Sequence, residues 1–207
     1  MSEPTAKDSL RRHFRRLRRG SLPAALPALQ SAACREVPAL VPPGRRLGLY
    51  WPVGSEPDLR PLAALLPDRL ALPAIRHWSG APAAGVKEEQ RLVYVPWNPG
   101  QELANDGCGI PAPLEGSVPL EAAELGLLLV PALAVDGAGL RLGSGGGWYD
   151  RLRGDAAWGA VPALAVLPAA CVARSLPRDP WDVAFDGWLD EGGLHLLSGR
   201  GMNVASS

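Results

Sequence analysis

Short apolar runs alternate along the chain with segments in which apolar residues recur every three or four positions. Apolar runs bounded by glycine or proline are typical of buried strands, whereas the longer spacing is typical of amphipathic helices. The runs predict strands over residues 46–53, 69–74, 92–95, 127–136 and 161–167. The periodic segments predict helices over residues 6–19, 22–40, 61–66, 121–125 and 148–152. This alternation predicts an α/β fold, with a mostly parallel sheet flanked by helices in a three-layer, Rossmann-like single domain.

The first 40 residues are predicted to form two helices. Between residues 6 and 19 the side chains of Leu10, Phe14 and Leu17 recur at helical spacing, and Gly20 is expected to end that helix. A second helical segment follows over residues 22–40, where three prolines weaken the pattern. Two later segments lack a clear period and are predicted to be loops: the polar residues 76–90 and the proline- and glycine-rich residues 97–119.

Charge is concentrated at the start of the chain. Residues 1–19 carry seven lysines and arginines against two acidic residues, whereas the whole chain has a formal charge of zero. Lys7 and Arg11 are four positions apart on one helix face, so both could contact the same anion. The alternative is a solvated charged face, which we expect for Arg15 and Arg18. No basic, aromatic-interleaved surface recurs later, so we expect no nucleic-acid partner.

The apolar run at residues 127–136 leads directly into the most glycine-rich segment of the chain. Residues 137–151 read Gly-Ala-Gly-Leu-Arg-Leu-Gly-Ser-Gly-Gly-Gly-Trp-Tyr-Asp-Arg. Parallel strands buried on both faces end where ligands bind, and glycine permits backbone conformations that gather N–H groups around an anion such as phosphate. With 24 glycines in the chain, an ordinary loop is an equally good interpretation at this point.

Two well-known phosphate motifs do not match this segment. The sequence contains no Gly-Lys-Ser/Thr, which excludes a Walker loop. A Gly-x-Gly-x-x-Gly register that starts at Gly143 meets Trp148 in its last position, which excludes the dinucleotide fingerprint. A second candidate position follows the predicted strand at residues 46–53, where Glu56 stands at the end at which parallel sheets bind ligands. Glu56 could also be an ordinary loop acid.

The composition indicates a soluble, cytoplasmic protein. Its 207 residues are 47% hydrophobic, which suits one domain over residues 1–198, with a frayed tail at 199–207. No apolar run approaches the roughly 20 residues of a membrane span, and no apolar segment follows the basic N-terminus. Cys34, Cys108 and Cys171 are far apart and are expected to be free thiols. Because no histidine or cysteine has zinc-ligand spacing, carboxylates should hold any metal, which favours magnesium.

Four short motifs are spread along the chain from Lys7 to Asp186. They are Lys-x-x-x-Arg at residues 7–11, Gly-Ile-x-x-Pro at 109–113, Arg-Leu-Gly-x-Gly-x-Gly-aromatic-Tyr-Asp at 141–150, and Leu-Pro followed by Asp-x-x-x-Asp within 176–186. The third directly follows Val-Pro-x-Leu-Ala-x-Asp. Together they resemble the signature of 5-formyltetrahydrofolate cyclo-ligases, also called methenyltetrahydrofolate synthetases. The chain departs from that family at Ala112, at Trp148, where tyrosine is usual, and in lacking a glutamine within residues 169–174.

This resemblance implies an α/β fold and a specific reaction. The reaction is the ATP- and Mg²⁺-dependent cyclisation of 5-formyltetrahydrofolate to 5,10-methenyltetrahydrofolate, with release of ADP and phosphate. ATP would be the cosubstrate and Mg²⁺ the cofactor. Phosphoryl transfer requires mainly positioning and charge neutralisation, which agrees with a chain that shows no serine–histidine machinery. We expect ATP and the folate as partners, no membrane association, and a monomer.

The resemblance also implies residue roles. Arg141 and Tyr149 would be catalytic, and Asp150 and Asp186 would bind magnesium. The residues implied to bind ATP are Lys7, Arg11, Arg141, Leu142, Gly143, Ser144, Gly145, Gly146, Gly147, Trp148 and Tyr149.

For the folate, the resemblance implies contacts to Trp51, Glu56 and Trp148. Glu56 would accept hydrogen bonds from the edge of the pterin ring, and Trp148 would keep the ring of the usual tyrosine without its hydroxyl. Two other functions stay open at this point. One is a sugar-phosphate-binding or isomerase-like α/β protein that uses the glycine loop without ATP, and the other is a non-catalytic folate-binding relative.

Overall fold

The computed structural model describes residues 6–78 and 89–197 of the chain. The helices are α1 (Ala6–Leu40), α2 (Trp148–Gly154) and α3 (Ala156–Gly159). Short 3-10 helices cover Arg60–Ala64, Ala122–Glu124 and Ala169–Cys171. The strands are β1 (Arg46–Gly48), β2 (Leu70–Trp78), β3 (Glu89–Trp97), β4 (Leu103–Asn105), β5 (Pro111–Pro113), β6 (Leu125–Pro131), β7 (Ala134–Asp136), β8 (Arg141–Leu142), β9 (Ala163–Val166), β10 (Val172–Ala173), β11 (Gly187–Asp190) and β12 (Gly193–Leu196).

Seven strands form the central sheet, in the order β12-β11-β9-β6-β1-β2-β3. The five inner strands run parallel to one another. The edge strands β3 and β12 are antiparallel to their neighbours. The predicted α/β fold, with a mostly parallel sheet flanked by helices, is therefore confirmed.

The middle of this sheet is buried on both faces. Along β6, Leu128 and Val130 pack into one hydrophobic cluster, whereas Leu127 and Leu129 pack into another on the opposite face. Successive side chains of a strand point to opposite faces, so an unbroken apolar run is what a doubly covered strand requires. This explains why the run at residues 127–136 carries no alternation of polar and apolar residues.

The chain after β6 turns back over the end of that strand. Strands β7 and β8 form an antiparallel pair, and the carboxylate of Asp136 accepts hydrogen bonds from the N–H groups of Ala138 and Leu140 in the turn between them. The same carboxylate accepts a hydrogen bond from the N–H of Leu176. The glycine-rich segment begins where β8 ends, and it is therefore fixed above the carboxyl ends of the parallel strands.

The prediction that the first helix ends at Gly20 is wrong, because α1 continues to Leu40. One buried stripe, with members three or four residues apart, runs along the helix and includes Phe14, Arg18, Leu22, Ala25, Leu29, Ala32, Ala33 and Val37. Three internal prolines each remove a backbone donor, and glycine is a weak helix former. Burial of the stripe outweighs these costs, since one buried leucine side chain contributes about 1.5–3 kcal/mol.

Replacing Gly20 with alanine is expected to stabilise the protein. Gly20 is exposed, and a methyl group there would meet no atom within 4 Å. Gly20→Ala should raise the free energy of unfolding by about 0.5–1 kcal/mol, because alanine loses less conformational freedom in a helix. Urea unfolding followed by circular dichroism measures the change. Gly187→Ala is a control that should lower the free energy of unfolding, since its methyl group would overlap the backbone of His195. A less stable Gly20→Ala variant would contradict a continuous helix.

Three further predictions need correction. The strand predicted over residues 46–53 is shorter, because β1 ends at Gly48. Residues 76–90 are not a simple loop, since β2 extends to Trp78 and β3 begins at Glu89, while residues 79–88 lie outside the described part of the chain. The segment 97–119 contains the β4–β5 hairpin. Arg76 donates hydrogen bonds to the carbonyl groups of Pro113 and Leu114, so partners distant in sequence accommodate this polar strand residue.

The other predicted elements agree with the structure to within a few residues. Cys34, Cys108 and Cys171 are free thiols, as predicted. Within residues 6–78 and 89–197, no helix is long and apolar enough to span a membrane. A single domain over residues 1–198 stays a prediction, and the predicted tail at residues 199–207 lies outside the described residues.

Candidate active site

A cavity of about 440 Å³ lies at the carboxyl ends of β1 and β6. Its wall includes the first two turns of α1, the loop after β1, residues 179–182, and the glycine loop, which we define as residues 143–147. These segments are far apart in the sequence. The cavity therefore brings together four regions that the sequence analysis singled out, and Ile110 of the Gly-Ile-x-x-Pro motif also lines it.

Glycine has two separate roles in the glycine loop. Gly145 and Gly147 have φ angles of 116° and 65°, in the left-handed region that side chains disfavour. Gly143 instead allows close approach, because a Cβ atom there would lie 2.6 Å from Nη1 of Arg141. The loop can thus curl tightly while the guanidinium group packs directly beneath it.

Arg141 lies beneath the glycine loop with its side chain only 5% exposed. Its Nη2 lies 3.4 Å from each carboxylate oxygen of Asp150, and its Nη1 lies 3.4 Å from the carbonyl oxygen of Pro131. These distances are long for charge-assisted hydrogen bonds. Its Nε is buried and has no hydrogen-bond partner among the described residues. Arg141 therefore keeps donor capacity for a ligand.

Trp148 and Tyr149 follow the glycine loop and line the same cavity. The guanidinium carbon of Arg141 lies 5.5 Å from the ring centroid of Tyr149, and that of Arg151 lies 4.4 Å from the ring centroid of Trp148. Burial, and to a smaller extent the charge of Glu56, raise the pKa of Tyr149 above its ordinary value. The Tyr149 hydroxyl thus stays protonated at neutral pH and can donate a hydrogen bond.

The start of α1 presents two cations to the cavity. Lys7 Nζ lies 2.6 Å from Asp179 Oδ2 and 2.8 Å from Asp182 Oδ2. Partial burial lowers the pKa of Lys7, but the hydrogen bonds and charges of the two aspartates outweigh it and raise the pKa. Arg11 donates from Nε to the Gly143 carbonyl at 3.3 Å and pairs with Asp8 at 2.7 Å. Arg11 thus contacts the glycine loop directly, whereas Lys7 pairs with acids near residue 180. The predicted role of both cations in phosphate binding stays a prediction.

Glu56 and Trp51, from the loop after β1, line the same cavity. The Glu56 side chain is 14% exposed, and its Oε2 accepts a hydrogen bond from the N–H of Val53 at 3.0 Å. Burial raises the pKa of Glu56, whereas this N–H, Arg18 and Arg141 lower it. Because burial is the largest of these effects, the pKa of Glu56 is raised overall. Its low exposure and its bond to Val53 make Glu56 a buried hydrogen-bond acceptor rather than a solvated loop acid.

The predicted site residues line this cavity with one exception, Asp186. The Asp186 carboxylate accepts a hydrogen bond from the N–H of Ala163 at 2.8 Å and lies 3.9 Å from Arg153. Ala163 begins β9, so Asp186 is at the amino end of the parallel strands, opposite the cavity. The structure does not bring Asp186 to Asp150. Asp182, the first aspartate of the same Asp-x-x-x-Asp motif, lies in the cavity wall instead.

Sequence reasoning missed several residues at this site. Asp179, Asp182 and the largely exposed Trp181 line the cavity, and Asp182 could have been chosen from the motif with equal justification. Arg18 is the other omission. It is 4% exposed, which corrects the prediction of a solvated side chain. Its position in the buried stripe of α1, four residues from both Phe14 and Leu22, was the available signal.

A larger cavity of about 670 Å³ lies on the other side of Trp148. Its wall includes Trp158, Arg151 and Glu121, but it includes no part of the glycine loop and none of Lys7, Arg11 or Glu56. Convergent polar groups mark a functional site better than volume does. We therefore assign the chemistry to the smaller cavity.

Comparisons with known proteins converge on one family. The model of the 5-formyltetrahydrofolate cyclo-ligase family matches residues 3–189. A 5-formyltetrahydrofolate cyclo-ligase of Mycolicibacterium smegmatis is 35% identical over 186 residues, covering 87% of this chain and 91% of the relative. A solved 5,10-methenyltetrahydrofolate synthetase of Aquifex aeolicus has a TM-score of 0.68 and 25% identity, with 94% of each chain covered. The synthetase of Mycoplasma pneumoniae has a TM-score of 0.62 at 14% identity, covers 90% of this chain and 99% of its own, and supports the fold alone.

Proposed function

Because this chain belongs to the 5-formyltetrahydrofolate cyclo-ligase family, we propose that it catalyses the ATP- and Mg²⁺-dependent cyclisation of 5-formyltetrahydrofolate. The formyl oxygen attacks the γ-phosphorus of ATP and ADP leaves. Nitrogen-10 of the folate then attacks the activated formyl carbon and loses its proton, while phosphate departs with the formyl oxygen. The products are 5,10-methenyltetrahydrofolate, ADP and phosphate, and loss of that oxygen is the reason that a cyclisation consumes ATP.

One observation carries this proposal: a single cavity is lined by two sets of groups with different chemistry. The first set is Lys7, Arg11 and the glycine loop, and the second is the buried carboxylate of Glu56. The first set suits the phosphates of ATP, and the second suits a ligand edge that presents two adjacent N–H donors, such as a pterin ring. Phosphoryl transfer from one ligand to the other requires that both be held in one place.

Arg141 is proposed to stabilise the transferring phosphoryl group. It lies directly under the glycine loop and has a buried Nε without a partner in the described chain. Charge spreads over the phosphoryl oxygens during transfer, so a fixed guanidinium in a closed site stabilises the transition state more than the ground state. Tyr149, with its protonated hydroxyl, would donate a hydrogen bond within the same site.

The acidic residues of the cavity fit a magnesium ion. Mg²⁺ in phosphoryl-transfer sites is held by one or two carboxylates together with substrate phosphates, so a dense acidic cluster is not required. Asp150 and Asp182 both line the cavity, and we propose that these two would hold the ion in place of the pair Asp150 and Asp186. When bound, Mg²⁺ would neutralise phosphate charge.

The folate is proposed to lie between Trp51, Glu56 and Trp148. Trp51 is held by Trp97, edge to face at 6.2 Å, and by the Arg60 guanidinium, 4.5 Å from its ring centroid. Such a fixed ring offers a rigid surface to a flat heterocycle. Trp148 would supply ring contact at the junction of the two ligands.

The test of this function is a coupled measurement on the purified protein. The methenyl chromophore should grow only when ATP, Mg²⁺ and 5-formyltetrahydrofolate are all present, with one ADP released per methenyl product. An isomerase-like activity would need no ATP, and a folate-binding relative would bind the folate without releasing ADP. Turnover without ATP, or folate binding without ADP release, would refute the proposal if the protein is folded.

The phosphate role of α1 is tested by removing its cations one at a time. Arg11→Ala and Lys7→Ala are expected to weaken ATP binding about 10- to 100-fold, because a charge-assisted hydrogen bond contributes about 1.5–3 kcal/mol. Arg15→Ala, an exposed charge on the same helix, is the matched control and should change ATP affinity less than about twofold. Isothermal titration calorimetry measures each affinity.

Equal losses in all three variants would indicate that the helix contributes only general positive charge. Arg11→Ala is the cleaner of the two test variants, because Lys7→Ala also leaves Asp179 and Asp182 without their ammonium partner.

A further inference from the structure

Arg18 is buried close to the cavity, although Arg12, Arg15, Arg16 and Arg19 of the same helix are exposed. Its side chain is 5% exposed and belongs to the stripe of α1 that packs against the protein interior. A buried guanidinium is costly unless hydrogen bonds and nearby charges compensate for its lost hydration. The contacts that compensate for the lost hydration of Arg18 indicate its role.

The Arg18 guanidinium joins two segments that lie next to the cavity wall. Its Nε donates to the Ser55 hydroxyl at 3.2 Å, and its Nη1 donates to the carbonyl oxygen of Ala132 at 3.0 Å. Ala132 directly follows β6, and Ser55 directly precedes Glu56. The same Nη1 lies 4.0 Å from Glu56 Oε1. Arg18 thus connects the end of the central strand to the loop that carries Glu56.

The other groups that face Glu56 do not replace this contact. The N–H of Val53 bonds to Oε2 rather than to Oε1. Arg141 adds a more distant positive charge from β8, and its nearest carboxylate is that of Asp150. Tyr50, two residues after β1, and Tyr149 of α2 are neutral, because burial raises the pKa of each.

Of the two cations near Glu56, Arg18 therefore stabilises the charged form of this carboxylate more strongly. Burial raises the pKa of this carboxyl, and Arg18 opposes the rise more strongly than Arg141 does. Burial also lowers the pKa of Arg18 from its ordinary value, while Glu56 raises it. The two groups support each other's charged state.

We propose that Arg18 is a positioning residue of the folate site, which keeps Glu56 ionised and aims its carboxylate at the pterin edge. This inference rests on the proposed function, in which Glu56 accepts hydrogen bonds from the folate. A protonated or rotated Glu56 would present a donor to the donors of the pterin ring, so folate binding would weaken while ATP binding would not. The signature of this role is a pH-dependent Michaelis constant for the folate alone.

The test replaces Arg18 with glutamine and measures the folate KM between pH 5.5 and 8.5. Arg18→Gln keeps a donor for the Ala132 carbonyl but removes the charge. The folate KM should rise below a certain pH, at which Glu56 becomes protonated. Without the charge of Arg18 this pH should be higher by about one unit, since a positive charge a few ångströms away lowers the pKa of a carboxyl by about that much. Folate KM on the acid side should increase about tenfold, while the ATP KM and kcat at saturating folate change less than about threefold.

Arg153→Gln is the matched control. Arg153 is equally buried, at 4% exposed, and donates to the backbone carbonyls of Val161 and Ala184, away from the cavity. Its replacement should lower the melting temperature but leave the pH profile of folate KM unchanged. An Arg18→Gln profile that coincides with the wild-type profile would overturn the proposal, and so would an equal shift in Arg153→Gln.

Two further measurements keep the test decisive. If Arg18→Gln does not fold, Arg18→Lys should retain the wild-type pH profile through its charge, yet raise folate KM because the guanidinium contacts are lost. A shifted profile or an unchanged KM in that variant would refute the role. Failure of the proposed function is recognised separately, because wild-type protein would then form no methenyl product at any pH.

Discussion

Asp150→Asn and Asp182→Asn are each expected to lose at least roughly 100-fold in turnover at fixed magnesium, equivalent to about 2.7 kcal/mol of transition-state stabilisation. A hard divalent cation that bridges phosphate oxygens requires anionic oxygen ligands, and an amide supplies no charge. Part of the loss should be recovered by raising the magnesium concentration. Initial rates of methenyl formation, measured as a function of magnesium at saturating ATP and folate, give both quantities.

Two variants serve as controls for the metal assignment. Asp186→Asn should leave the magnesium dependence unchanged, because its carboxylate is bound to the N–H of Ala163 at the opposite end of the strands. Asp179→Asn removes one partner of Lys7 without removing a proposed ligand, so it separates the loss of that ion pair from the loss of the metal. A magnesium dependence that changes in Asp186→Asn but not in Asp182→Asn would reverse the assignment.

Glu56→Gln is expected to raise the folate KM about 10- to 100-fold. A carboxylate can accept two parallel N–H donors from a pterin edge, whereas an amide turns one acceptor into a donor and leaves a buried polar group unpaired. Such mispairing costs about 1–3 kcal/mol, at 1.4 kcal/mol per decade of affinity. Steady-state kinetics measure the folate KM, and calorimetry measures ATP affinity independently.

The calorimetric measurement decides what Glu56 does. ATP affinity should stay within about twofold of the wild-type value, since Glu56 bonds to the N–H of Val53 and lies near Arg18, whereas Lys7 pairs with Asp179 and Asp182. An unchanged folate KM would show that Glu56 does not bind the pterin. Equal losses for both ligands would indicate that the substitution disturbs the loop structure instead.

Much of the fold could be predicted because the informative patterns are local. The apolar run that forms β6 and the glycine loop that follows it can both be predicted from consecutive residues. The end of α1 could not be predicted from neighbouring residues, because Gly20 and three prolines predict a break. Only the long buried stripe keeps the helix intact, and the residues that it packs against are distant in sequence. Strand β2 was underestimated for a similar reason, because its polar Arg76 is accommodated by carbonyl groups about 40 positions away.

The candidate site shows the same division. Arg141 and Tyr149 belong to one contiguous motif and could be assigned together. Choosing between Asp182 and Asp186 required knowing that Asp182 lies in the cavity wall, whereas Asp186 lies against the start of β9. Arg18 could not be separated from its solvated neighbours by charge, because its burial depends on the loop after β1 and the residue after β6.

The cavity wall around Lys7 joins segments that are far apart in the sequence. Lys7 is bound to Asp179 and Asp182, which lie 172 and 175 positions later. Further along α1, Glu36 accepts a hydrogen bond from the N–H of Leu194. Contacts over such separations close large loops and form late in folding. During synthesis the glycine loop therefore leaves the ribosome well before the acids that complete its site. The proposed ATP affinity should therefore appear in a nascent chain only after residues 179–182 have left the ribosome, and ATP would then selectively stabilise chains that extend past these residues.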